Sequence, residues 1–218
     1  MPELYGHPFS SYTWKALIPC YENRIELDFR MVDPDHPENL ERLQALSPMG
    51  KFPLLVDGDT VLYEATIIIE YLQQAYPGPV VFIPDQRSAA LEVRMLDRFF
   101  DNYVMGNMQH VVDDCLRGPA DRCPAIVEGA KSRLERAYAW LDQRMRTQEF
   151  ACGEHFTLAD CAAAPALFYA DWVHEISGAF PHLRRYRATL LGRASVTRCV
   201  EDARPYRPLF PGGAPDRD

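Results

Sequence analysis

Residues 49–72 read MGKFPLLVDGDTVLYEATIIIEYL, and this stretch decides the fold. Phe52 to Val56 is short and apolar, so it reads as a strand. Asp57-Gly58 marks a tight turn, because glycine accepts positive φ without a Cβ clash. Val61 to Tyr63 returns as the second strand of a hairpin. At Glu64 the apolar period changes from strand to helix. Ile67, Ile68, Tyr71, Leu72 and Ala75 share one helical face, which Pro77-Gly78 ends.

Pro53 stands at the first position of its strand, where a missing N–H is tolerated. Trans is the usual isomer, and on spacing alone the stretch reads as a structural hairpin with an edge proline. A cis bond would instead turn the Phe52 backbone outward, with N–H and C=O free to pair with an extended peptide. Glu64-Ala65-Thr66 opens a helix directly after a strand, and the unpaired first amides of a helix attract a carboxylate. An open edge beside an anion site describes a pocket for a small acidic peptide.

Working outward, Glu3 to Tyr5 is a strand, and a helix runs from near Ser11 to Glu22 with Trp14, Leu17, Ile18 and Tyr21 on one face. Pro19 is expected to kink or shorten it. Ile25 to Val32 alternates as a strand, and Glu38 to Leu46 is a short helix. The order β-α-β-α-β-β-α describes a small α/β sandwich over residues 1–77. Residues 78–86, rich in proline, read as a linker. Residues 87–218 carry helical periodicity only. Ser88 to Val112 forms one long helix with a stripe of Leu91, Met95, Phe99, Tyr103 and Val104; Ala125 to Met145 is a second. Thr157-Leu-Ala-Asp160 is a capping box that opens a third, nearly all apolar and bent by Pro165. Helices at 183–191 and 196–203 follow, then a proline-rich tail from Arg204.

The 218 residues carry a net charge of -8, which argues against a nucleic-acid binder. No apolar run is long enough to span a bilayer, and the N-terminus lacks the regions of a signal peptide, so a cytoplasmic protein is expected. The six cysteines form no Cys-x-x-Cys pair and have no histidine at zinc spacing. Free buried thiols and no metal site are expected.

A thioredoxin-like βαβαββα unit, a linker and an all-helical domain together resemble a bacterial cytosolic glutathione S-transferase. The specific pieces are Phe52-Pro53, the strand-to-helix Glu64, and Thr157 to Asp160. Ser10 to Lys15, Gln44 to Met49 and Val93 to Met95 are most similar to the zeta class. The resemblance implies a cis Pro53, with the Phe52 backbone pairing to the cysteinyl part of glutathione as co-substrate. It implies that Ser10 is the catalytic hydroxyl that favours the thiolate together with the first helix's N-terminus. Ser11, Phe52, Pro53, Glu64 and Ala65 are the implied glutathione contacts. On the residues alone, Ser10 and Ser11 read as helix N-caps, and Tyr5, Tyr12 and His7 are other groups near that corner.

The second substrate, a hydrophobic electrophile, is expected between the domains, against Tyr103, Met105, Met108, Tyr169, Trp172 and Phe210; each also reads as core. Thr157 and Asp160 are expected to be structural. The sequence also departs from the family. Ala65 lacks the hydroxyl that normally binds the γ-glutamyl carboxylate, with Thr66 a possible substitute. Glu38 replaces a ligand-facing glutamine of the zeta class, and Trp172 replaces its carboxylate-clamping arginine. Trp172 favours conjugation over the alternative of a zeta-type isomerase, and Ala65 and Glu38 motivate a second alternative, a non-catalytic protein-binding module of the starvation-protein kind. A homodimer is implied by the resemblance alone.

Overall fold

The computed structural model describes residues 1–218. Its first part is β1 (Glu3–Gly6), α1 (Ser11–Glu22), β2 (Asp28–Met31), α2 (Pro37–Leu46), β3 (Leu54–Asp57), β4 (Thr60–Tyr63) and α3 (Ala65–Ala75). The four strands make one mixed sheet in the order β2-β1-β3-β4. β1 runs parallel to β2 and antiparallel to β3, and β3 and β4 form the hairpin. This is a thioredoxin-like domain. The hairpin loop is Gly58-Asp59, and Gly58 has φ +58°, the conformation that the first central position of a tight II′-like hairpin turn requires.

The period of two sorts the strand residues between two layers. Leu4 and Leu55 point to one face, against Trp14 and Ile18 of α1 and Ile68 of α3. Tyr5, Leu54 and Val56 point to the other, where Leu43 of α2 covers them. Pro19 does not end α1, which continues to Glu22. The buried packing of α1 against α3 and the later helices outweighs the one backbone hydrogen bond that proline removes.

The second part is helical: α4 (Arg87–Phe99), a π-helical turn (Phe100–Met105), α5 (Gly106–Leu116), α6 (Pro124–Arg144), α7 (Leu158–Val173), α8 (Pro181–Leu191) and α9 (Ala194–Ala203). A 3₁₀ segment, Arg204–Leu209, leads into the tail. The long helix expected over 88–112 is therefore interrupted, and its register differs from the expected stripe. Ala90, Val93, Leu96 and Phe100 face inward, while Leu91, Met95 and Tyr103 are exposed. Helix α7 is buried along nearly its whole length and runs unbroken through Pro165. One continuous core joins α1 and α3 to α4, α6, α7, α8 and α9, so the two parts share their hydrophobic interior.

Candidate functional site

The corner between β1 and α1 is held tightly. A side chain on Gly6 would lie 2.7 Å from the Thr13 side chain, so only glycine lets the first turn of α1 approach the strand end. Ser10 is the N-cap of α1, and its Oγ accepts the Thr13 N–H at 3.3 Å. Accepting that bond leaves the hydroxyl proton free to donate. Ser11 is the first helical residue, half-buried beside it. The Trp14 indole donates to Pro8 O at 2.5 Å, and Phe9 N–H donates to His7 Nδ1 at 3.1 Å. Burial lowers the His7 pKa, with Asp33 opposing, which favours the neutral ring. Tyr5 lies on the opposite, α2 face of the sheet, where its hydroxyl donates to Glu3 at 3.0 Å. It is a core residue remote from this corner.

Beside the corner lies a cleft of about 430 Å³. Phe52, Pro53, Glu64 and Ala65 all line it, joined by Tyr12, Lys51, Arg98 and Asp101. Ser10 and Ser11 are not part of this lining. The Phe52-Pro53 bond is cis. Phe52 lies outside the strand ladder, and neither its N–H nor its C=O makes a hydrogen bond within the chain. Ser47 Oγ accepts Lys51 N–H and donates to Lys51 O, which fixes the loop leading into Phe52. Glu64, the N-cap of α3, has φ +72°, a conformation that costs a non-glycine residue free energy and turns the chain sharply into the helix. The Tyr12 phenol makes no hydrogen bond within the chain, and burial, reinforced by Asp101, pushes its pKa up to about 12. It therefore stays protonated and can donate.

Under the cleft is a buried charge cluster that joins the two parts of the molecule. Lys15, whose side chain is 1 % exposed, pairs with Asp97 at 2.6 Å and Asp101 at 2.7 Å. Arg98 joins Asp97 at 2.6 Å and Asp101 at 2.5 Å from the solvent side. Burial raises the Asp101 pKa, and Lys15 opposes it. The cluster also claims Thr66. Its hydroxyl accepts from Lys15 at 3.0 Å and from Arg98, and donates to Asp97 at 2.9 Å. Thr66 is thus not available to replace the hydroxyl missing at Ala65. Glu38 is exposed in the first turn of α2 and does not line the cleft, so its charge does not face that space.

The residues expected around a second substrate do not form one pocket. Tyr103 points outward, 58 % exposed, into a separate groove of about 320 Å³ with Phe99 and Trp140. Met105, two residues further, faces the core, because two helical positions differ by roughly half a turn. Met108 is also core. Tyr169 and Trp172 do meet, at 5.4 Å between ring centroids, but they are 3 % and 8 % exposed, and Phe9 and Phe210 pack against them. The space is filled by the protein's own rings. A larger cavity, about 610 Å³, lies elsewhere, between linker residues Val80 to Pro84 and the loop before α7.

Thr157 caps α7, and the buried Asp160 carboxylate accepts from Thr157 N at 2.8 Å, Thr157 Oγ at 3.0 Å, Ala151 N at 2.8 Å and Tyr186 OH at 2.6 Å. These four donors tie the start of the helix to the loop before it and to α8. Lys51, Arg98 and Asp101 were not singled out from the sequence. Lys51 directly precedes Phe52-Pro53 and was legible there; Arg98 and Asp101 reach the cleft only through tertiary packing.

Two family models match the chain in order: "Glutathione S-transferase, N-terminal domain" over residues 4–80 and "Glutathione S-transferase, C-terminal domain" over residues 124–189. Among curated proteins, the chain is 29 % identical to glutathione S-transferase 3 of Zea mays over 210 residues, covering 91 % of this chain and 92 % of that protein. It is 27 % identical over 202 residues to a stringent starvation protein A homolog of Coxiella burnetii, covering 92 % and 91 %. A glutathione S-transferase from Methylobacillus flagellatus, crystallised with glutathione bound, superposes with a TM-score of 0.80 at 27 % identity, covering 91 % of this chain and 98 % of that one.

Proposed function

Because the chain belongs to the glutathione S-transferase superfamily, we propose that the cleft between Phe52 and Ala65 seats glutathione and that Ser10 favours its thiolate for attack on a hydrophobic electrophile. The observation that carries this reading is the Phe52 main chain, unpaired within the protein and facing a cleft whose far wall is the start of α3. Paired there in strand fashion, the cysteinyl residue would extend toward the α1 corner. Ser10 Oγ already accepts from Thr13, so its proton is the one to donate to sulfur. The thiol proton passes to solvent, sulfur bonds to the electrophilic carbon, and the leaving group departs with its electron pair.

The γ-glutamyl carboxylate would meet the first amides of α3, the Tyr12 hydroxyl and Arg98, while Asp101 offers a carboxylate to the ammonium group. The N-terminal motifs favour the zeta class. Trp172 in place of its arginine favours conjugation over isomerisation. The test is a conjugation assay with a dinitro-substituted aryl chloride: the wild type should exceed the buffer rate, and Ser10→Ala should lose about 10²-fold in kcat/KM. No rate above buffer contradicts it.

One observation favours a second reading, a non-catalytic module of the starvation-protein kind. Tyr169, Trp172 and Phe210 leave no open space for a second substrate. Glutathione binding without turnover would support it. In either case the exposed Leu91, Met95 and Tyr103, with Met49, Tyr63 and Ile67 on the first domain, offer an apolar surface that a second copy of the chain would cover.

A further inference from the structure

The cavity of about 610 Å³ between the linker and the loop before α7 is built from fixed parts. On the linker side, the Asn23 amide exchanges two hydrogen bonds with the Val80 main chain, at 2.9 and 3.0 Å, and the Gln73 amide exchanges two with that of Ile83, at 2.8 and 2.9 Å. On the loop side, Phe150 and Gly153 bond to each other's main chain, and Asp160 accepts Ala151 N–H at 2.8 Å. Leu158 N–H donates to Phe82 O at 2.9 Å and ties the two sides together. The space between them is therefore held open by the fold itself. Its walls are apolar: Val80, Val93, Phe150 and Phe156 line it, and the two phenyl rings meet edge-on at 5.7 Å. Two polar groups there have capacity to spare. Phe156 is 5 % exposed, yet neither its N–H nor its C=O makes a hydrogen bond within the chain, which is uncommon for buried main chain. The Arg193 guanidinium lies 4.1 Å over the Phe156 ring and gives Nε and Nη2 to Glu22, at 2.7 and 2.8 Å, while Nη1 has no partner within the chain.

We propose that this cavity is a second binding site, for a neutral and mostly apolar molecule whose carbonyl oxygen accepts from Phe156 N–H and Arg193 Nη1. The apolar walls take the body of the ligand, and the carbonyl has two lone pairs for the two free donors. A neutral ligand fits better than an anion for two reasons. The Arg193 charge is already matched by Glu22, and the Glu154 carboxylate stands exposed at the mouth of the cavity. The site is independent of the glutathione reading, since no residue lines both this cavity and the cleft at Phe52. Bound there, the ligand would join the linker to the start of α7 and stabilise the fold.

Cys152 supplies a reporter inside the site, because its half-buried thiol lines the cavity. Burial pushes that thiol up to about 12, so it reacts slowly, and labelling with methyl methanethiosulfonate is run near about pH 9. Cys115 and Cys123, also half-buried but outside the cavity, are internal controls, read together with Cys152 by mass spectrometry of the full chain without glutathione. At about ten times its Kd, 2-acetylnaphthalene should slow Cys152 labelling about tenfold and leave the two controls unchanged. The same ring system without the oxygen, 2-ethylnaphthalene, should bind about tenfold more weakly, because the two donors stay unpaired. The anion 2-naphthoate should give no protection. Val81, 55 % exposed at the mouth, can be enlarged without cutting into the core, and Val81→Trp should abolish the effect of the ketone. Cys152 labelled at one rate with and without the ketone, equal protection by the ethyl compound, or equal slowing at all three cysteines overturns the proposal. A Cys152 that never labels shows a cavity closed to solutes and overturns it as well. The transferase reading can fail while this site stands, because glutathione takes no part in the measurement.

Discussion

Ala65 lines the cleft with a methyl group, at the position where the proposed glutathione site would place a hydroxyl against the ligand carboxylate, and Thr66 next to it is held by Lys15, Arg98 and Asp97. Ala65→Ser should therefore strengthen glutathione binding, by about tenfold if the new hydroxyl makes one charge-assisted bond. Tyr12→Phe should weaken it by a similar factor, with the loss in KM larger than in kcat. Calorimetry on the two single variants and the double variant checks both, since the two hydroxyls would serve one carboxylate and their effects should not add. A second residue-scale effect concerns pH. Asp57 accepts from Tyr76 at 2.6 Å and Tyr71 at 2.8 Å, and these bonds hold its carboxyl below the usual range. A folded-state pKa below the unfolded one gives stability that is complete above about pH 4 and is lost as pH falls through the folded value. Near the surface, screening limits it to about 0.5–1 kcal/mol. Melting curves of the wild type should fall more steeply below about pH 4 than those of Asp57→Asn.

Between elements, the Lys15 cluster is a buried polar tie that pins α1 and α3 of the first domain to α4 and the π-helical turn of the second. Lys15→Met leaves Asp97 and Asp101 with only Arg98, on the solvent side, as counter-charge and should cost about 3 kcal/mol, read as a fall of roughly 10 °C in Tm. Lys15→Met combined with Asp97→Asn should recover part of that loss. This tie was not legible in the sequence, because Lys15 and Asp97 lie far apart in the chain and each reads alone as a surface charge. The hairpin, α1 and α7 were legible: Gly58 must turn, Ser10 and Thr157 must cap, and apolar period gives the rest. Phe52, Pro53, Glu64 and Ala65 lie around one cleft because the loop entering β3 and the start of α3 supply all four. The second-substrate set was not legible. A helical stripe gives a period, but the face it turns inward depends on neighbours. Tyr103 faces outward and Met105 inward for that reason, and the π-helical turn at Phe100–Met105 shifts the register without a proline to announce it.

For the whole molecule, the exposed Leu91, Met95 and Tyr103, with Met49, Tyr63 and Ile67, are the apolar side chains on which the proposed dimer rests. Light scattering after gel filtration should give a mass near twice 24.9 kDa, and Met95→Glu should shift it toward the single chain. A wild-type mass of one chain contradicts the dimer. In the proposed site, the main chain of Phe52, the start of α3 and the corner at Ser10 together hold a tripeptide thiol. Isothermal titration of the wild type with glutathione tests it most directly. The expected result is one site per chain with a Kd below about 1 mM; an absence of saturable heat at about ten times that concentration would contradict it.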